Sequence, residues 1–304
     1  MTRQIGYCLL PFEPGAWHAG ADNYESIETG IIEAKKAGFQ AVESAARLSC
    51  SLDLARRYLA DEGFPAAPLI RTDMDALHRI ERLITLAEKH DMAMTSIFSS
   101  AEFINPKLQE AEVDAAMVLA RVFASSGIKY FCSSMGGRRP GKGAQDVRAL
   151  ADVTSRMGEK MLSMGVQLCV HPHVGMIVES AEEIDAFFAA ASSETVGMLV
   201  DTAHIRAAGG DPAAIVRKYK SRVKYVHLKD LWVEPGENVL VDGRYRKAFR
   251  DVGEGNFPFK PFVEALDEIG FDGPIMAELD ISPDPVASLW RSRRYIAEEL
   301  NLLG

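Results

Sequence analysis

A chain of 304 residues is long for one average domain and ordinary for one α/β barrel. Apolar residues make up 47% and charged residues 25%, the balance of a soluble globular protein with a large core. The formal charge of −9 sets the surface against phosphate backbones and anionic lipid, so neither a nucleic-acid nor a membrane partner is expected.

The N-terminus, "MTRQIGYCLL", carries one arginine and a short apolar run that "PFEPG" interrupts, which argues against a signal peptide or an anchor. Short apolar or β-branched runs then alternate with longer segments of helical period. Strands are predicted at 5–10, 39–44, 92–98, 128–134, 166–173, 196–204, 223–230 and 274–280. Helices are predicted at 24–38, 74–90, 115–127, 147–165, 181–191, 211–220, 261–270 and from 285 to about 303. Several helices end on a glycine, as in "KKAGFQ" and "LSMGVQ", while Asp211 and Pro212 mark a helix start. Eight βα units imply one α/β domain over 1–304, a (β/α)8 TIM barrel. The alternative, an open doubly wound sheet, would want a glycine-rich loop after the first strand, and "LLPFEPGAW" is none.

Insertions at 51–73 and 231–258 follow the second and seventh strands, at the barrel's C-terminal, catalytic face. They are read as lids, or as solvated loops. Of the four cysteines, Cys8, Cys132 and Cys169 sit in strand-like runs, and with Cys50 they form no C-x-x-C pair. A reducing, cytoplasmic setting is expected.

The predicted strand ends collect the chemistry. The fifth ends in His171 and His173, the sixth in Asp201 and His204, the seventh in His227, Lys229 and Asp230, and the eighth in Glu278 and Asp280. Side chains alternate along a strand, and neighbouring strands stand about 5 Å apart, so groups from successive ends can converge on one cation. A mixed N/O shell of His171, Asp201, His227 and Glu278 suits one divalent transition metal, Mn²⁺ first, with Co²⁺, Fe²⁺, Mg²⁺ and Zn²⁺ as alternatives.

His173 is read as a proton shuttle or as a hydrogen-bond partner of the shell. Lys229 is read as an acid or a salt-bridge member, and His204 as a substrate contact or an orienter of Asp201. Glu43, read as the end of the second strand, would bind substrate hydroxyls or make an ion pair. His18, beside Trp17, would wall the substrate. Arg250 and Glu254 are the substrate-binding candidates of the second insertion, whose basic run of Arg244, Arg246, Lys247 and Arg250 has a solvated face as its plain reading.

The order D-x-x-H, H-L-K-D, E-x-D on the last three strands resembles the xylose-isomerase-like TIM-barrel superfamily, over nearly the whole chain. "HPHVG", "DTAHIRAAGGDP", "YVHLKDL" and "VGEGNFPF" resemble its inosose dehydratase branch in particular. The resemblance implies a divalent-metal enzyme acting on a polyhydroxylated keto-sugar or keto-inositol through an enolate. Loss of a β-leaving group would make it a lyase or dehydratase, some relatives cleaving 3-keto-glycosides in that way. Reprotonation would make it an isomerase or epimerase. The superfamily's epimerases carry a metal-binding glutamate at the end of strand 5, where this chain has His171. Glu179, eight residues further on, is the alternative fourth ligand. The AP endonuclease branch is disfavoured by the charge and by the small number of histidines. A homo-oligomer, or a subunit that acts only with a partner protein, stays open.

Overall fold

The computed structural model describes residues 3–13, 24–45, 74–138, 141, 143–234, 236–237, 239–240 and 245–303. The barrel strands are β1 (Ile5–Cys8), β2 (Ala41–Ala45), β3 (Ala93–Ala101), β4 (Tyr130–Met135), β5 (Gln167–Val170), β6 (Val196–Asp201) and β7 (Val223–Leu228). A short ribbon of β8 (Asp230–Leu231) and β9 (Phe249–Arg250) intervenes before β10 (Ile275–Ala277) completes the set. Eight of them close into a barrel in the order β1-β10-β7-β6-β5-β4-β3-β2, with every register found between neighbours parallel. The expected (β/α)8 barrel is what the chain forms.

The helices are α1 (Tyr24–Lys36), α2 (Met74–Lys89), α3 (Gln109–Ser125), α4 (Ala144–Ser163), α5 (Ala181–Ala190), α6 (Thr202–Ala207), α7 (Pro212–Tyr219), α8 (Tyr245–Ala248), α9 (Phe259–Glu268) and α10 (Pro285–Glu298). Local chemistry sets their limits. Asp211 caps α7 by accepting from the amides of Ala213 (2.9 Å) and Ala214 (3.2 Å). Gly38 and Gly165 end their helices at φ of 85° and 82°, where a β-carbon would be strained.

Several boundaries depart from the sequence reading, among them that of the last barrel strand, which stops at Ala277 just before Glu278. α3 starts six residues before the predicted 115, because the buried Glu112 breaks the apolar period. Its carboxylate accepts from the amides of Phe103 (2.6 Å) and Glu102 (3.2 Å). β5 stops at Val170, since Pro172 has no N–H for the ladder and the His173 amide turns to Val178 O at 3.0 Å. β6 stops at Asp201, which caps α6 with a 2.8 Å bond from the His204 amide, so "TAH" is helix. Glu43 lies in the middle of β2, paired in register with Cys8, and not at its end.

By contacts the chain divides into two compact units. One comprises Met1–Ser44, Leu86–Thr95 and Leu199–Gly304, and the other Ala45–Thr85 and Ser96–Met198, with the divisions falling inside β2, α2, β3 and β6. In the first unit, alternation along β7 puts Tyr225 and His227 on one side of the strand, and Lys229 follows just past its end. Around Tyr225 lies a packed layer: Thr95 Oγ1 is 2.7 Å from Tyr225 Oη and 3.7 Å from Met276 Sδ. Gly6 completes that layer, because a β-carbon there would run into Met276.

The second insertion, 231–258, leaves β7 through Asp230. That buried carboxylate accepts from the amides of Leu231 (2.8 Å), Gly253 (2.9 Å), Gly255 (2.9 Å) and Phe257 (3.2 Å). A β-carbon on Gly255 would overlap Asp230 Oδ1 and Leu231 O. Gly255→Ala is therefore expected to cost about 1–3 kcal/mol in urea unfolding, as overpacking does. Amide exchange over 251–257 should accelerate with it, and unchanged exchange there would contradict the bracing role.

Candidate functional site

Of the residues that the sequence placed at the ends of the last three barrel strands, the first unit brings Asp201, His227, Lys229 and Glu278 together. Asp201, His227, Lys229 and Glu278 are buried, each below a tenth exposed. Buried charges survive only where they are paired or hold a metal.

His227 is the hub. Its Nε2 stands 2.9 Å from Glu43 Oε2, and its Nδ1 faces Asp201 Oδ2 at 3.7 Å and, in close contact, Glu278 Oε2. Asp201 divides its labour: Oδ1 caps α6 while Oδ2 points to His227. Burial opposes charge on the imidazole, but Glu278, Glu43 and Asp201 outweigh it and hold the pKa of His227 well above its usual value. Burial likewise opposes the Glu278 carboxylate, and His227 and Lys229 overcome it, so its pKa lies well below the ordinary range.

Lys229 Nζ sits 2.9 Å from Glu278 Oε1, 2.5 Å from Asp280 Oδ1 and 3.4 Å from His204 Nε2. It also lies 4.5 Å from the centroid of the Phe249 ring, a cation–π contact delivered by the ribbon strand β9. Burial works against the ammonium, and Asp280 and Glu278 more than restore it, so the group is a lasting cation. Thr202 ties the ends of β6 and β7 together, donating to Lys229 O (2.7 Å) and accepting from the Lys229 amide (3.0 Å).

In the second unit, the imidazole of His171 is buried just past β5, with Nδ1 3.1 Å from Ser134 Oγ. His173 is half-buried on the loop that follows, its ring 5.1 Å from that of His171. Its Nδ1 lies 2.6 Å from Val174 O, and since a carbonyl only accepts, Nδ1 carries the proton and Nε2 is the basic nitrogen. Glu179 is committed to the loop itself, accepting from the Gly175 amide (2.6 Å) and pairing with Arg138 at 3.2 Å. In the first unit, Asp201 and His227 offer buried oxygen and nitrogen atoms of the kind a metal ion takes.

Other candidates are placed differently. Glu43, expected to bind hydroxyls, is fully buried and bonded to His227 and Tyr225. Arg250 gives its Nη1 to the carbonyls of Lys247 (2.7 Å) and Phe249 (2.8 Å), and Glu254 is exposed. His18, Trp17, Arg244 and the insertion 51–73 lie outside the described residues, as does the side chain of Arg246. Two partners went unnoticed in sequence. Tyr225 carried a signal, being two residues before His227 on the same side of the strand. Phe249 carried none, because its place depends on the ribbon pairing Leu231↔Phe249.

The chain matches the family described as xylose isomerase-like TIM barrel over residues 31–303. It belongs to that family. It is 30% identical over 238 residues to an inosose dehydratase of Clostridium perfringens, covering 71% of this chain and 80% of that one. Over 162 residues it is 30% identical to an inosose dehydratase of Lacticaseibacillus casei, covering 50% and 54%. Among solved structures, the IolI protein with a binding zinc atom superposes with a TM-score of 0.69 at 15% identity, covering 97% of both chains. A D-allulose 3-epimerase from Methylomonas sp. superposes at 0.68 and 17% identity, covering 98% of both. With such relatives the chain is an enzyme. No helix among the described residues is long and apolar enough to cross a membrane.

The charge balance sets a pH response for the chelated protein. His227 has a raised folded pKa, so its contribution to stability is complete below the unfolded value near pH 6.5 and is lost as pH rises through the folded value. Glu278, with a lowered pKa, contributes above its unfolded value near 4.3 and loses that as pH falls. Urea titrations in chelator should show stability falling above pH 6.5, by up to about 1.4 kcal/mol per pH unit. His227→Asn should flatten that slope, and an equal slope in both proteins would count against the arrangement.

Proposed function

We propose that this chain is a divalent-metal-dependent lyase that dehydrates a keto-inositol or a related polyhydroxylated keto-sugar. The observation that carries the reading is the buried N/O donor set of Asp201, His227 and Glu278, charge-balanced on one flank by Lys229. The inosose dehydratase relatives support the substrate class and the reaction.

The donor chemistry fits a divalent ion. Three oxygen- or nitrogen-bearing side chains from successive strands turn their atoms toward one another with more carboxylate than the local cations neutralise. Asp201, His227 and Glu278 would hold the ion, with His171 as the fourth ligand in preference to Glu179, whose carboxylate Arg138 and the Gly175 amide already engage. When bound, a divalent ion supplies a Lewis acid for the keto and hydroxyl oxygens and stabilises enolate charge.

The chain's own groups supply the proton traffic. Dehydration removes the proton α to the ketone and expels the β-hydroxyl with a proton, giving an enone and water. His173, with Nε2 as its basic nitrogen, is the base. Lys229, kept cationic by Glu278 and Asp280, is the acid that meets the departing hydroxyl. His204, 3.4 Å from Lys229 Nζ, orients that ammonium and can reload it. An imidazole at the strand 5 position, where a proton-returning carboxylate would serve an epimerase, favours elimination. The metal is assigned as Mn²⁺, with Co²⁺, Fe²⁺, Mg²⁺ and Zn²⁺ as the alternatives the same donors accept.

The test is assay of the purified protein on 2-keto-myo-inositol after loading with Mn²⁺. An ultraviolet-absorbing enone should form. His173→Ala should keep its metal and lose turnover by about 10²–10⁴-fold, the range for a missing general acid or base. Solvent deuterium returned to recovered substrate without water loss would identify an epimerase instead. Wild-type turnover by His173→Ala would remove His173 from the mechanism.

A further inference from the structure

We infer that Glu43 is a positioning residue: from the middle of β2 it fixes which nitrogen of His227 is presented to a metal ion. The inference rests on the proposed reading of His227 as a ligand.

Three observations carry it. First, Glu43 is fully buried, and a carboxylate removed from water is costly unless something specific compensates it. Packing alone would be served by an apolar residue, as Ala41 and Ala45 serve on the same side of β2. Second, one oxygen does the work. Glu43 Oε2 lies 2.9 Å from His227 Nε2 and accepts from Tyr225 Oη at 2.7 Å, while Oε1 meets no hydrogen-bond donor among the described residues.

Third, the contacts give the line a direction. Tyr225 gives its single proton to Glu43 Oε2, and Thr95 Oγ1, 2.7 Å from Tyr225 Oη, also donates to Val42 O at 3.2 Å. Glu43 likewise asks for a proton on His227 Nε2, as Asp201 and Glu278 ask for one on Nδ1 in the metal-free protein; a cation held by those two carboxylates would take the place of the Nδ1 proton and leave the Nε2–H on Glu43. A neutral imidazole has one N–H and one lone pair, so the lone pair falls on Nδ1, the nitrogen that faces Asp201 Oδ2 and Glu278 Oε2. Without Glu43, both tautomers become available, and one of them points a proton where the ligand lone pair is needed. A carboxylate behind an imidazole also raises its strength as a ligand.

The line Thr95–Tyr225–Glu43–His227 thus runs from the packed layer around Gly6 and Met276 up to the donor set, with all four side chains buried. Glu43 touches no reacting atom in this arrangement. It acts through His227, and its binding of substrate hydroxyls, the expectation from sequence, gives way to that role.

The experiment uses Zn²⁺ alone as the probe. Wild type, Glu43→Gln, Tyr225→Phe and His227→Ala are stripped with chelator, and Zn²⁺ affinity is measured by calorimetry. Nitrogen-15 spectra of histidine-labelled protein are recorded on the loaded forms. Glu43→Gln should bind Zn²⁺ about 10–100-fold more weakly, the effect expected for loss of a ligand's supporting partner. The His227 Nε2–H proton, shifted downfield by its carboxylate in wild type, should move upfield in Glu43→Gln even with zinc bound. In Tyr225→Phe the carboxylate loses its competing donor, and the same proton should move further downfield. A merely structural role for Glu43 would leave that resonance unmoved in Tyr225→Phe. Wild-type affinity and an unshifted proton in Glu43→Gln would overturn the inference. If Glu43→Gln does not fold, an unmoved resonance in Tyr225→Phe overturns it. Loss of Zn²⁺ in His227→Ala with wild-type behaviour in the other two would overturn the positioning role alone. Failure of wild type to bind Zn²⁺, or full retention by His227→Ala, would overturn the reading beneath it.

Discussion

The imidazole of His227 is held in a ring of carboxylates, with Glu43 behind it and Asp201 and Glu278 before it. The neighbourhood contains more buried acid than base. Lys229 offsets part of the excess, at 2.9 Å from Glu278 and 2.5 Å from Asp280, and a protonated His227 offsets more in the chelated protein. A buried imbalance of this kind is tolerable only if something of positive charge settles it. A divalent ion, if bound there, would do so in place of the imidazole's proton.

The barrel supplies the rigidity that such a ring requires. A two-residue alternation lines up Tyr225 and His227 on β7 with Lys229 just past its end, and each of the three meets different neighbours. Tyr225 reaches Thr95 and Glu43, His227 reaches the carboxylates, and Lys229 reaches Glu278, Asp280 and the Phe249 ring. The lower contacts pack the barrel interior, the upper ones gather the charged groups, and the middle one connects them.

Much of this was legible in the sequence because it follows from periodicity. Asp201, His227, Lys229 and Glu278 stand at strand ends, and alternation alone predicts that they meet. The eight βα units and the closed barrel followed from the same signal. What escaped was non-local. Glu43 has nothing in its own neighbourhood to say that its partner lies 184 positions away. The helix α6 was hidden because "VDTAH" continues an apolar strand run, and only the capping geometry of Asp201 reveals the break. Glu112 hid the first turn of α3 for a related reason, being a charged residue turned inward to serve the backbone of Glu102 and Phe103. Arg250 and Glu254, read as substrate groups, lie apart from this hub: Arg250 gives its Nη1 to backbone carbonyls, and Glu254 faces water.

The position of Asp201 restricts how this protein can change. One oxygen starts a helix and the other faces His227, so the residue serves the architecture and the chemistry at once. Asn would keep the cap and forfeit the charge. Glu would keep the charge, but its extra methylene carries the carboxylate away from the His204 amide. No single substitution satisfies both demands. A change at this position costs either the cap or the charge, a double penalty that a residue with one duty, such as Asp211 at the start of α7, does not carry.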